Sequence, residues 1–236
     1  MHESGFGRVL GALVAPDKTF RSIAERPTWV VPLILLVVLG LSVGLIMQRR
    51  VDQAELIKYQ MDRMGVELSK QQMEKIENDA AGGSGVRQSL GLAFGTLVAA
   101  AAYFVLAAVF LMILRLAGSE IDFLSSLAVT VHGMLPLGVA ALLNIPLALS
   151  RSEISPAEVM SGGLLASNLR PLAPEGSPVV ASLLGSLDFF AIWAVVLLIL
   201  GFRRVARIST QTSATIVLVL WGLFVLGKAG IAAVFN

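Results

Sequence analysis

Long apolar runs alternate along this chain with short charged breaks. Five runs hold about 20 predominantly apolar residues, the length a helix needs to cross a bilayer. They cover roughly 28–47, 89–114, 124–149, 180–202 and 212–235. Arg49-Arg50 close the first run, Arg115 the second, Ser150-Arg151 the third, and Arg203, Arg204 and Arg207 the fourth. No strand-like alternation occurs, so helices are the way for this backbone to satisfy itself in lipid. The expected fold class is all-α: a polytopic membrane protein with five transmembrane helices and an amphipathic N-terminal arm.

The polar segments carry patterns of their own. In residues 1–27, Phe6, Val9, Leu10, Leu13 and Val14 recur at helical spacing, with Arg8 elsewhere on the wheel. After Pro16, Phe20 and Ile23 repeat that spacing beside Lys18, Arg21 and Arg26. This arm either lies in the membrane interface or packs on the protein's own helices. Residues 51–87 predict an extramembrane helical loop, broken at Gly65, with Ser69 and Gln72 forming a capping box for its second helix. There Met61, Met64, Met73 and Ile76 either face the membrane or a partner, or form a thin stripe on a solvated hairpin. Gly82-Gly83-Ser84-Gly85 is a flexible tether back to the membrane. Residues 150–178 mix Pro156, Gly162-Gly163, Pro171, Pro174 and Pro178 with apolar Leu164-Leu165, which suits a re-entrant or interfacial cap over the outer helix ends. The expected organisation is an arm, 1–27, and a membrane domain, 28–236.

Composition supports the bilayer as solvent. Hydrophobic residues make up 56% and charged residues 14%, with mean hydropathy +0.81. Soluble domains run at about 45–50% apolar and about 25% charged, so one water-soluble core cannot absorb this much apolar surface. A net charge of +2 argues neither for nor against nucleic acid, and none is expected as a partner. With no cysteine and only His2 and His132, thiolate and histidine metal sites are not expected, nor is any cofactor. The N-terminal segment carries acids as well as bases and no A-x-A-like site follows the first run, so that run reads as an uncleaved span. Four Lys/Arg in the arm and three after the fourth run place the N-terminus in the cytoplasm and the C-terminus outside. Arg49-Arg50 would then face outward, in a loop where seven Lys/Arg balance seven Asp/Glu over 49–87.

Ionisable groups inside spans cost about 2.5–3.5 kcal/mol at the bilayer centre and often mark function. His132, Asp188 and Lys228 are the three here. Asp188 and Lys228 each lie about eight residues, roughly 12 Å, in from the outer ends of their spans. Antiparallel neighbours then bring them together, with Asn144 near the outer end of the third span. Such a group is a structural pair, or Lys228 snorkels outward, or the three serve transport. Pro136 removes the backbone bond to the carbonyl of His132, so the third span should kink, with His132 packed at a helix interface or acting as a pH sensor or ligand. Gly82-Gly83-Ser84-Gly85 resembles the serine motif of rhomboid-type intramembrane proteases, but in a polar tether with only His132 for a base. No Walker motif, HExxH or dinucleotide fingerprint occurs, and no catalytic residue is expected. Gly40/Gly44 and Gly91/Gly95, extended by Ala99, form GxxxG faces for packing within the chain or in a dimer.

Two stretches carry a family likeness. GSEIDFLSSLAVTVHGMLPLGVAALL, residues 118–143, is a charged turn, a phenylalanine and a helix with mid-span Pro136. LDFFAIWAVVLLILGFRRVARIS, residues 187–209, has Asp188, an aromatic pair, Trp193, a Leu-rich run and a basic turn. Pro16, Phe20 and Pro27 add a P-x-x-x-F…P pattern. In this order they resemble the Yip family, named for eukaryotic Ypt/Rab-GTPase-interacting membrane proteins, and its bacterial branch in particular. The resemblance implies five spans, a cytoplasmic N-terminus and an outer C-terminus. It also implies a role through partners in the bacterial inner membrane, some relatives being encoded beside ABC exporters and their periplasmic adaptors. Pro136, Asp188 and Trp193 fit the family pattern without bringing a catalytic role, and Rab binding does not carry over. The expected function is that of a non-enzymatic accessory or scaffold protein that contacts the bilayer, ABC transporter subunits or a second copy of itself. The alternatives are a small transporter or channel using Asn144, Asp188 and Lys228, and an intramembrane protease.

Overall fold

The computed structural model describes residues 4–82, 85–160, 164–174 and 176–234. Its helices are α1 Gly5–Val14, α2 Pro16–Glu25, α3 Val30–Arg50, α4 Gln53–Arg63, α5 Lys70–Gly82, α6 Gly85–Leu116, α7 Phe123–Gly133, α8 Leu135–Leu149, α9 Pro156–Met160, α10 Pro178–Ser186, α11 Phe189–Val205 and α12 Thr210–Val234. No strand occurs among the described residues, so the fold is the all-α membrane architecture expected.

Local chemistry sets the helix ends. Ser4 caps α1 by accepting from Gly7 N–H at 3.1 Å, and Pro16 opens α2, where no amide donor is needed. Asp52 caps α4 through the N–H groups of Ala54 and Glu55, and Asp122 caps α7 through Ser125. The expected capping box is present: Ser69 N–H donates to Gln72 Oε1 at 2.9 Å and Gln72 N–H to Ser69 Oγ at 3.3 Å. Gly65, at φ 66°, makes the turn between α4 and α5. Gly82 ends α5 and Gly85 begins α6, while Gly83 and Ser84 of the expected tether lie outside the described residues. So do His2 and Gly162-Gly163.

Four stretches are helices long and apolar enough to cross a membrane: Val30–Arg50, Ser89–Leu116, Phe123–Leu149 and Thr210–Val234. The third breaks between α7 and α8 at Met134, just before Pro136, where the proline ring leaves the His132 carbonyl without its usual amide donor. Pro146 lies inside α8 as a second missing donor. The stretch expected as a continuous fourth span is instead two helices, α10 and α11, parted at Leu187 and Asp188. Asp188 stands directly before α11, where a carboxylate is favoured beside the free N–H groups of a first turn.

The chain forms two compact units. The first comprises Met1–Leu39, Leu97–Ala140 and Phe189–Phe224. Phe20 and Ile23 of α2 are fully buried in its core beside Leu114, Val129, Leu197 and Phe202, and the Phe110 and Phe202 rings lie 4.5 Å apart. The second half of the arm is therefore packed on the protein's own helices, α7 and α11. α7 is the hub: Ser125 to Gly133 are all buried. The third span is accordingly 61% buried, against 17–22% for the other three, whose outward Phe94, Val105, Met112 and Leu223 suit hydrocarbon as solvent. Gly133 and Gly201 permit close approach here: a Cβ on Gly201 would lie 2.6 Å from Val129 and 2.9 Å from Phe20.

The second unit comprises Gly40–Thr96, Ala141–Asp188 and Val225–Asn236. Val51, Ala148 and Ile154 form its small core, with Met47, Leu56 and Val159 against them. Ile154 N–H donates to the Arg50 carbonyl at 2.8 Å, tying the segment after α8 to the end of α3. α4 packs on α5 and α9. Of the two GxxxG faces, Gly44 is filled within the chain by Leu92, whereas Gly40, Gly91 and Gly95 face open space.

Candidate functional site

Two polar groups stand out, one in each unit. In the first, buried side chains bond to the backbone of neighbouring helices. Ser126 Oγ donates to the Ala107 carbonyl and Ser213 Oγ to that of Ile199, both at 2.8 Å. Ser119 Oγ donates to Ala206 at 2.8 Å, joining the turn after α6 to the turn after α11. Thr130 and His132 bond within their own helix; Nδ1–H of His132 donates to the Ala128 carbonyl at 2.8 Å. The imidazole is fully buried in α7, and its Nε2 has no partner among the described residues.

Arg8 lies in the same unit and was not marked out by sequence. It is 7% exposed, and its guanidinium donates to the Arg26 carbonyl at 2.7 Å, Ser22 Oγ at 2.8 Å and Thr28 Oγ1 at 2.9 Å. Arg26 is the C-cap of α2, and Ser22 begins its last turn. The cation therefore sits on the negative end of a helix dipole, which offsets part of its desolvation. The available signal was that Arg8 is the single charge in GFGRVLGALV.

In the second unit, the expected outer group is engaged with residues 164–188. Asn144 Oδ1 accepts from Leu165 N–H at 3.2 Å, Ser167 Oγ donates to the Asp188 carboxylate, and Lys228 Nζ donates to Ser186 Oγ at 3.3 Å. Asp188 also pairs by backbone with Asn168 in an antiparallel bridge. The structure thus gathers Asn144, Asp188 and Lys228 into one unit, each tied to the segment that leads into α10 or to α10 itself. Lys228 is exposed and Asp188 half-buried. Trp193 lies elsewhere, in the first unit, its ring tilted against Phe189 with centroids 5.9 Å apart and packed against the core around Phe202. Pro136 is buried at the start of α8. Outside the spans, N–H and hydroxyl donors of Ser155, and then Arg151 at 3.1 Å, hold the exposed Glu158 carboxyl below its ordinary range. Among the described residues no three metal-ligating side chains converge. Ser84 lies outside them, so no nucleophile–base geometry can be drawn to His132.

Comparison with known proteins places the chain. Membrane protein YknW of Bacillus subtilis (strain 168) is 25% identical to it over 217 residues, covering 92% of this chain and 86% of that protein. No solved structure matches it. The profile of the Yip1 domain matches residues 10–231, nearly the whole chain, and the polytopic helical fold agrees with that match. The protein belongs to the Yip1-domain family of membrane proteins.

Proposed function

We propose that this protein is a non-enzymatic accessory or scaffold protein of a bacterial inner membrane, assisting a larger membrane assembly such as an ABC exporter. Residues 1–27 form the cytoplasmic arm, 28–236 the membrane domain, and 51–87 an outer helical hairpin. The observation that carries this is the use of the buried hydroxyls. Ser119, Ser126 and Ser213 each bond a backbone carbonyl on another segment, so these three hydroxyls tie segments of the first unit together. Large apolar side chains and unfilled glycines remain on the outside of the spans, free to meet lipid or other helices.

Crosslinking in intact membranes, mild-detergent purification and mass spectrometry test it. The expected result is recurrent recovery of a defined membrane partner. Recovery of the protein alone, together with solute flux in proteoliposomes that is lost in Asp188→Asn or Lys228→Met, would instead favour a transporter.

A further inference from the structure

The first helix is built the wrong way round for water. α1 buries its single charge, Arg8, together with Val9 and Ala12, and turns Phe6, Leu10 and Val14 outward along one stripe. Those three are 67%, 64% and 81% exposed. The helix cannot drift from the first span, because a Cβ on Gly5 would lie 2.6 Å from Val31 Cγ2 and Arg8 holds Thr28. Chain connection therefore keeps α1 level with the first turn of α3, where the bilayer boundary must fall. Beside it, α2 and its cap expose three bases, Lys18, Arg21 and Arg26, against one further acid, Glu25, while Asp17 is engaged by Arg203 at 2.9 Å.

We propose that α1 is a foot seated in the lipid interface, its Phe6–Leu10–Val14 stripe among the upper acyl carbons and the basic residues of α2 selecting anionic headgroups. The two helices divide the work that a single amphipathic helix usually does on its two faces. α1 supplies the apolar face, and α2 the charged one. Burying Arg8 inside the arm keeps that stripe free of charge.

The absence of cysteine allows a direct test on the full chain. Leu10→Cys and Phe6→Cys carry an environment-sensitive fluorophore in vesicles of phosphatidylcholine, alone or mixed with phosphatidylglycerol. Lys75→Cys, exposed on α5, is the water-facing control. Both arm labels should be quenched by nitroxides on upper acyl carbons and be several-fold less open to iodide than the control. The shielding should be greater with phosphatidylglycerol, and Arg21→Gln with Arg26→Gln should remove that difference. Iodide access equal to the control overturns the lipid foot, as does shielding that appears only when another protein is added. Equal shielding in both lipid mixtures overturns the anionic selection.

Discussion

A guanidinium that gives up water needs several acceptors, and Arg8 finds them where α2 runs out of amide donors. Arg26 is the cap of that helix, past its last amide donors, and offers its carbonyl; Ser22, whose carbonyl already accepts from Arg26 N–H, offers its hydroxyl. Arg8→Met should lower stability by about 2 kcal/mol, because acceptors that stay buried lose a charged donor while the cost of burying the cation also goes. Arg8→Lys should fall between, since one ammonium cannot reproduce the forked geometry. Thermal melts in detergent check the order wild type, Lys, Met. Arg207 makes a second test. It adopts φ 53° just after α11 and its cap residue Ala206, the place where helices usually put glycine. Arg207→Gly should raise stability by about 1 kcal/mol, and Arg207→Val should lower it. Neither residue was legible as special. Arg8 read as a helix-wheel position and Arg207 as one more basic residue in a cytoplasmic turn; what distinguishes them is tertiary burial and backbone conformation. The Ser69–Gln72 box is different, because a cap is a local pattern with local partners.

At the level of elements, close packing divides the glycines into two kinds. Gly201 lets α11 press against Val129 of α7 and Phe20 of α2, so Gly201→Val should cost about 1–3 kcal/mol through overpacking. Gly95 has nothing within 4 Å, so Gly95→Ala should gain up to about 1 kcal/mol from helix propensity. A loss at Gly95, with a change in oligomer size on chromatography, would show that a second copy occupies that face. Motif spacing alone did not separate these cases. It marked Gly40, Gly44, Gly91 and Gly95 alike, whereas of these only Gly44 is tight, against Leu92, and other tight positions include Gly133 and Gly201, which lie outside any GxxxG repeat. The long apolar helices were legible because about 20 apolar residues have few other solutions. The break at Asp188 was not, because the residues that hold it, Ser167 and Asn168, lie about a loop's length away in sequence.

For the whole molecule, the path of the chain bears on how many times it crosses. Ser119, before α7, bonds Ala206, after α11, within one unit. If α7 and α8 carry the chain across the bilayer, it must return before Ala206, and α10 with α11 is the apolar stretch available. α11 alone, at 17 residues, rises about 26 Å, close to the hydrocarbon thickness of about 30 Å. We propose that the broken stretch still serves as a crossing. The same end of that unit joins the two basic segments, through Arg203 and Asp17 at 2.9 Å. With that crossing, Arg8, Lys18, Arg21, Arg26, Arg203, Arg204 and Arg207 would share one side of the membrane, while residues 49–87 balance their charges. Positive charge in short flanks holds to the cytoplasm, so the arm and the turn after α11 should be inside and the α4–α5 hairpin outside. Single cysteines at Arg21, Ser209 and Lys75, probed in intact cells with a membrane-impermeant maleimide, check it. Lys75→Cys should label at once, and Arg21→Cys and Ser209→Cys only after the membrane is opened. Opposite behaviour of Arg21→Cys and Ser209→Cys would break the five-crossing path, and the reverse of all three would invert the molecule while leaving that path intact.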